Sequence, residues 1–480
     1  MLSKIRRYFH ADQLVPEHHR VGGIPATRDA YQDVLRIALP SIAEMVLMSL
    51  IGSVDTIMVG QLGKNALAAV ALPGQPRMIM LCIFFALNVG VTAIVARRKG
   101  EGRRDEANLT LRNALMLVFG LSLIIMTVVL AFAEPLMRLA GGNTRTPDDA
   151  EVLQGALDYF KIMAYALPVT VLSMCINAAL RGVGNTKITM KVNIISNLVN
   201  VVFNYLLIGG NLGFPRLEVR GAAIASVIGI VAGACLSFIT VMHSGNSYLS
   251  ISRHDQWRVD KKTMHSIFKV GGNAIVEQLS MRFGFFSYSR IMYGYGVTLF
   301  AAHNIAMQFL NITFSFADGT AIAATSLVGQ QLGAKRPDLS LLYGRISQRI
   351  ALVISMVVGV IIVVFRYPFC RLFIDVNTSH ADIVIEAAAR TMLVVALMQP
   401  FQMASVVLSG CLRGAGDNLF VAVVMGCCVS VIRPIMAVLA VYVFKLDLAL
   451  AWLFSLSEIV VRLIFFDARF RSGKWKEKTV

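Results

Sequence analysis

Long apolar stretches without a single charged residue recur along this chain, and they limit its fold more than any other feature. Residues 114–133 and 353–364 are two of them. Helical runs of this kind cross much or all of roughly 30 Å of hydrocarbon. Of 480 residues, 56% are hydrophobic and only 15% are charged, too few charges to cover the surface of a soluble domain. The chain therefore reads as an all-α integral membrane protein, with the lipid bilayer as a partner.

Twelve spans are predicted. They fall at 34–59, 67–96, 110–133, 157–180, 189–209 and 221–243 in the first half. In the second half they fall at 267–292, 299–329, 346–366, 387–411, 419–443 and 448–468. Around them lie an N-terminal segment (1–33), a central linker (244–266) and a tail (469–480). The linker carries Arg253, Asp255, Arg258, Lys261 and Lys262, and separates a first lobe (34–243) from a second (267–468). Residues 1–30 lack an apolar core of signal-peptide type, so the first span is the expected insertion signal.

The formal net charge of +17 raises the question of nucleic acid. The basic residues, however, sit between apolar segments: Arg97, Arg98 and Lys99 with Arg103 and Arg104, then Lys261 and Lys262, then Arg469, Arg471, Lys474 and Lys476. No basic face is interleaved with aromatics, and no nucleic-acid partner is expected. Alternate loops collect about 25 Lys/Arg on one side, both termini included, and about 8 on the other. That bias places both termini in the cytoplasm, which an even number of spans requires.

Seven cysteines are present, and Cys82, Cys175, Cys235, Cys411, Cys427 and Cys428 lie in apolar segments as small hydrophobes. Neither a disulfide framework nor a zinc spacing is visible. Neither Gly63-Lys64 nor Gly473-Lys474 is followed by Ser or Thr, so no Walker A loop is present. No cofactor is expected, and no catalytic His, Cys or acid cluster suggests an enzyme.

The two halves repeat. Aligning Glu44 with Glu277 sets a register that also matches Gly63 to Gly296, Thr92 to Thr325, Arg103 to Arg336 and Asp105 to Asp338. One residue shorter, Pro168 meets Pro400, and Leu-Arg-Gly-Val-Gly at 180–184 meets Leu-Arg-Gly-Ala-Gly at 412–416. Six spans per repeat give both halves the same orientation, related by an axis along the membrane normal, as in transporters that alternate access.

Several of these residues resemble the MATE (multidrug and toxic compound extrusion) family. They are Ala38-Leu-Pro with Ser53-Val-Asp-Thr-Ile-Met-Val-Gly-Gln-Leu-Gly63, Leu180-Arg-Gly-Val-Gly-Asn-Thr-Lys187, Gly221-Ala-Ala-Ile-Ala225, Ala301-Ala-His-Asn-Ile-Ala306 and Leu412-Arg-Gly-Ala-Gly-Asp417. The tail Arg469-Phe-Arg-Ser-Gly-Lys-Trp475 is most similar to the bacterial DinF-type branch. The resemblance implies two pseudo-symmetric six-helix bundles of MATE/MOP type in a bacterial inner membrane. It also implies extrusion of small organic cations or amphipathic drugs, driven by protons or sodium ions, and a monomer is expected.

Acids inside hydrocarbon are functional candidates by default. The first span has Glu44 and Asp55, about three turns apart on one face, or roughly 16 Å. Burial disfavours the charged form of a carboxyl, which suits such an acid to load and release a proton. A structural ion pair from Asp55 to Arg77 is the competing expectation. The resemblance puts Asp55 at the family's first-helix aspartate and implies a role in ion coupling. Asn193, Asn197, Asn200 and Asn204 form one polar stripe on the fifth span, able to bond a carboxylate, coordinate a cation or join helices. Archaeal members carry an aspartate where Asn204 stands, so a paired-aspartate sodium site is absent.

The second half offers Glu277 and Asp318, with Arg282, Arg290, Arg433 and Arg462, and a Glu458–Arg462 pair at helical spacing. Glu277 lies about one turn before the seventh-helix glutamate of the NorM branch, and the tenth span lacks that branch's acid. Asp55 repeats onto Tyr288, which leaves the coupling acid in the first half alone. A proton-coupled antiporter is the leading reading. A lipid-linked saccharide flippase, which needs a cationic cavity, is the alternative, and a channel is disfavoured by the lack of a filter-like loop.

Overall fold

The structure is a computed structural model, and it describes residues 8–243, 248–252, 255, 257–373 and 381–478, apart from the Ser53 side chain. Arg253 of the linker lies outside the described residues. Every regular element among the described residues is helical. The first half contains α1 (Thr27–Gly60), α2 (Lys64–Gly100), α3 (Arg104–Ala131), α4 (Pro147–Tyr165 continued by Leu167–Gly182), α5 (Thr186–Gly209) and α6 (Glu218–Met242). The second half contains α7 (Lys261–Met292), α8 (Val297–Gly333), α9 (Pro337–Arg371), α10 (Ala381–Gly414), α11 (Asn418–Val443) and α12 (Leu448–Arg471).

Ten of these are long and apolar enough to cross a membrane, and the bent α4 adds an eleventh. The twelfth, α7, has the length at 32 residues but is more polar, because Glu277, Arg282 and Arg290 lie within it. Several helices also outrun their apolar windows. At the start of α4 the Thr146 hydroxyl and the Asp149 carboxylate form a reciprocal capping box, with Pro147 at the first helical position. That cap starts the helix ten residues ahead of the expected span.

Two compact units divide the chain: residues 1–42 with 272–480, and residues 43–271. Both divisions fall inside a helix, α1 and α7, rather than in the linker between the two expected lobes. In the unit that contains α8, the backbone of Ile42 lies against Gly319, and Tyr343 donates to Asp33 at 2.8 Å. In the other unit Gly90 approaches Gly271 and Ile267 closely. Small residues at these crossings let the helix backbones meet.

Each unit has its own packing. Residues 43–271 hold an apolar cluster around Val59, Tyr159, Met163 and Ala223. The linker lies along α3, where Asn108 and Asn113 accept from the backbone N–H groups of Ser250 and Asp260, both at 2.9 Å. Hydrogen bonds from the Thr263 hydroxyl and N–H hold the Asp260 carboxyl below its usual range and cap α7. The other unit holds one cluster around Phe309, Met392 and Trp452 and a second around Leu412, Phe466 and Phe470. The tail joins the second cluster. Trp475 is fully buried, stacks on Phe470 at 5.0 Å, and donates to the Phe470 carbonyl.

The repeated Leu-Arg-Gly-x-Gly motif has the same surroundings twice. Thr92 of α2 donates to the Ala178 carbonyl of α4 at 3.0 Å, and Thr325 of α8 donates to the Gly410 carbonyl of α10 at 2.9 Å. A Cβ on Gly182 would meet the Thr92 carbonyl, and one on Gly414 would meet the Thr325 carbonyl. The final glycines, Gly184 and Gly416, have φ of +78° and +89°, the left-handed conformation that ends a helix.

The two repeated prolines differ. At Pro168 the chain breaks, and the two segments of α4 meet at 52°. Pro400 lies inside an unbroken α10. The carbonyl that Pro400 leaves without a donor is that of Ala396, and Gly359 of α9 packs beside it.

Gly182→Ala is expected to cost about 1–3 kcal/mol by forcing α2 and α4 apart. Gly272→Ala, where nothing lies within contact of the new methyl, should leave stability unchanged or slightly raised. Thermal unfolding of the two purified variants checks both expectations.

Candidate functional site

The stripe on α5 faces the acidic face of α1, and together they make a polar seam within residues 43–271. At one end the buried Glu44 carboxylate receives Arg181 at 3.1 Å, the Thr189 hydroxyl at 2.8 Å and the Asn193 amide at 2.7 Å. Its side chain has no exposed surface, whereas that of Arg181 is 20% exposed. Charge-assisted bonds of this number offset the desolvation of the acid.

At the other end Asp55 is only partly buried. Asn204 donates to its Oδ1 at 2.7 Å. With the Asn200 amide turned to satisfy both of its ends, its nitrogen donates to the same oxygen at 2.9 Å and its oxygen accepts from the Ser226 N–H at 3.2 Å. Asn197 stands apart from both acids, since its amide donates to the Asn193 carbonyl of its own helix. Among the described residues Asp55 forms no ion pair. Arg77 acts on it electrostatically from α2 without forming the expected bridge.

Asp55, Asn204 and Arg77 line a cavity of about 320 Å³ together with Thr56, Tyr159 and Ser226. The Asn204 Oδ1 is buried and has no hydrogen-bond partner. The cavity thus contains an acid, amide donors and an unused acceptor, the groups needed to hold a carboxyl in either protonation state.

The other unit uses its charges differently. Glu277, buried on α7, is paired with Arg413 of α10. Glu44 and Glu277 are repeat mates, as are Arg181 and Arg413, so one ion pair is built twice. Tyr288, the repeat mate of Asp55, is buried against His303 and Trp452. Close to it Arg433 holds Glu458 at 2.8 Å, and Arg462 reaches the same carboxylate at 3.5 Å and Gln402 at 2.7 Å. All four side chains are buried. The expected Glu458–Arg462 pair is therefore present, with Arg433 as the closer partner.

Asp318 is brought to none of these groups by a bond. It is exposed in the middle of α8, with Arg413 as the charge acting on it. Arg181, Arg413, Thr189 and Ser226 were missed by sequence reasoning. For the arginines a clue existed, because each repeat preserves one acid on its first span and one arginine after its fourth.

The MatE family profile matches this chain twice, over residues 40–206 and 274–439. The chain belongs to the MatE family. The two matches reproduce the internal repeat, and the protein is a multi-pass membrane transporter of this family. It is 26% identical over 450 residues to the probable multidrug resistance protein NorM of Thermotoga maritima, covering 94% of each chain. It is 25% identical over 394 residues to the multidrug resistance protein MdtK of Yersinia enterocolitica, covering 81% of this chain and 82% of that one.

Among solved structures, a MOP superfamily transporter from Pyrococcus furiosus aligns with a TM-score of 0.86 at 20% identity, over 98% of this chain and 99% of that one. An outward-facing MATE family transporter aligns at 0.82 and 22% identity, over 93% and 97%. These likenesses show the MATE fold of twelve helices.

Arg181→Ala strands Glu44 as an uncompensated buried charge, with an expected loss of about 3 kcal/mol. The double variant Glu44→Gln/Arg181→Met should recover most of that loss, and thermal unfolding of both proteins reads the difference.

Proposed function

We propose that this MATE protein exports organic cations and amphipathic compounds by antiport with protons, with Asp55 as the coupling acid. The observation that carries the reading is the state of Asp55: partly buried, without an ion pair among the described residues, held by two amides and lining a cavity. An acid fixed by an arginine, as Glu44 is by Arg181, is poorly placed to release and regain a proton. An acid held only by neutral amides exchanges its proton without breaking an ion pair. An amide can donate to the carboxylate through nitrogen and, when turned, accept from the carboxylic acid through oxygen. Asn204 has that oxygen unused.

The names NorM and MdtK among the relatives support multidrug efflux. The excess of Lys/Arg in alternate loops supports a bacterial inner membrane location with both termini in the cytoplasm. Exposed and mid-span, Asp318 supplies a carboxylate to attract a cationic substrate in the second half. Sodium is the alternative coupling ion, since amide and carboxylate oxygens at Asp55 and Asn204 suit a hard cation. The flippase reading loses ground because Arg413, Arg433 and Arg462 are each engaged with Glu277 or Glu458 rather than left for a pyrophosphate.

In proteoliposomes under an imposed proton gradient alone, Asp55→Asn is expected to abolish efflux of a fluorescent organic cation. Normal transport by that variant, or transport by the wild type under a sodium gradient only, overturns proton coupling at Asp55. Asp318→Asn should raise KM for a cationic substrate by about tenfold, corresponding to a lost contact of ~1.4 kcal/mol. KM for a neutral amphipathic substrate should stay unchanged.

A further inference from the structure

A second cavity lies far along the chain from Asp55, where the N-terminal segment folds against α9 and α12. Its volume is about 450 Å³, and Tyr8, His19, Leu341, Arg345, Arg349 and Arg471 are among its lining residues. Arg345 and Arg349 sit about 12 and 18 Å into α9 from Pro337, one turn apart on the same face. Like charges at that spacing repel.

Asp467 is the acid that answers this cluster, and it is shared. Arg345 reaches it at 3.3 Å and Arg471 at 2.5 Å. Arg349 forms no ion pair among the described residues. Its guanidinium lies 4.1 Å over the Tyr8 ring and acts on the Tyr31 hydroxyl, a neutral partner, while its buried Nη1 completes no hydrogen bond among the described residues. A partly buried guanidinium whose partners are only a ring and a neutral hydroxyl keeps charge that a bound anion would offset. Lys476 adds positive charge nearby, holding the His19 imidazole below its usual range.

We propose that this cavity binds the phosphate of an anionic ligand, either a phospholipid headgroup or free phosphate. Guanidinium forks match phosphate oxygens in pairs. Arg345 and Arg349 belong to the third and fourth turns of one membrane helix, and Arg471 closes another. Leu14 and Leu341 place apolar surface beside them. That combination fits a headgroup with the start of its acyl chains, and basic pockets between helices on the cytoplasmic side are suited to such lipids. The N-terminal segment forms one wall, so an occupied site also ties that segment to the helices.

The test is thermal unfolding of the full-length protein in detergent, titrated separately with phosphatidylglycerol, phosphatidylcholine and inorganic phosphate. Phosphatidylglycerol is expected to raise the wild-type midpoint, and phosphatidylcholine to leave it unchanged. In Arg345→Gln/Arg349→Gln the concentration giving half the shift should rise about tenfold or more, equivalent to ~1.4 kcal/mol. A shift with inorganic phosphate alone assigns the same site to the free anion. No shift with either anionic compound overturns the proposal, as does an undiminished shift in the double variant. Should that variant fail to fold, Arg471→Gln, whose side chain is 69% exposed, gives the same readout.

Discussion

A carboxylate cannot remain charged inside a helix bundle without partners, and this structure meets that constraint the same way twice. Glu44 and Glu277 sit on the first helix of each repeat, and each is held by the arginine of a Leu-Arg-Gly-x-Gly motif at the end of the fourth. The rest of the motif follows from bringing that arginine into place. Its first glycine allows the fourth helix to lie against the backbone of the second, where a threonine bonds across the contact. Its second glycine takes the positive φ that stops the helix once the arginine has been delivered. One ion pair thereby fixes three helices in each repeat.

Against that shared framework the departures from symmetry are informative. The unit of residues 43–271 holds Asp55 by amides with a cavity beside it, while the other unit fills the equivalent position with Tyr288 among aromatic rings. The other unit pairs its buried Arg433 and Arg462 with Glu458, which fixes those charges in place. Duplicated residues explain the fold of this MATE protein, and among the residues that escaped duplication Asp55 differs from Glu458 in having no arginine bonded to it among the described residues.

Much of this was legible in the sequence because hydropathy and repeats are local or periodic signals. Eleven spans announce themselves by composition, and α7, counted among the twelve expected spans, carries charges that weaken its own signal. The division of each unit within a helix was not legible, since nothing in α1 marks Ile42 as its packing boundary. The acids were visible, but their partners lie 136 and 137 residues away and depend on how helices cross. The asparagine stripe was correct as a face, yet Asn197 bonds its own backbone, because an amide on a helix can reach the carbonyl four residues earlier. The repeated prolines carried the same sequence signal, yet α4 bends ahead of Pro168 and α10 runs unbroken through Pro400.

Under the proposed coupling, the seam between α1 and α5 has a fixed end and an exchangeable end. At Glu44 an arginine, a hydroxyl and an amide converge on one carboxylate, and removing that charge would leave the arginine unpaired. At Asp55 the bonded donors are neutral, so protonation weakens two charge-assisted bonds and reduces the counter-charge felt by Arg77 without breaking an ion pair among the described residues. The two acids are about three helical turns apart on the same helix. Under the proposed coupling, a proton arriving at Asp55 loosens α1 from α5 at one end while the Glu44 clamp holds the other. That difference turns a local change of charge into a tilt or bend of α1 rather than a loss of the fold.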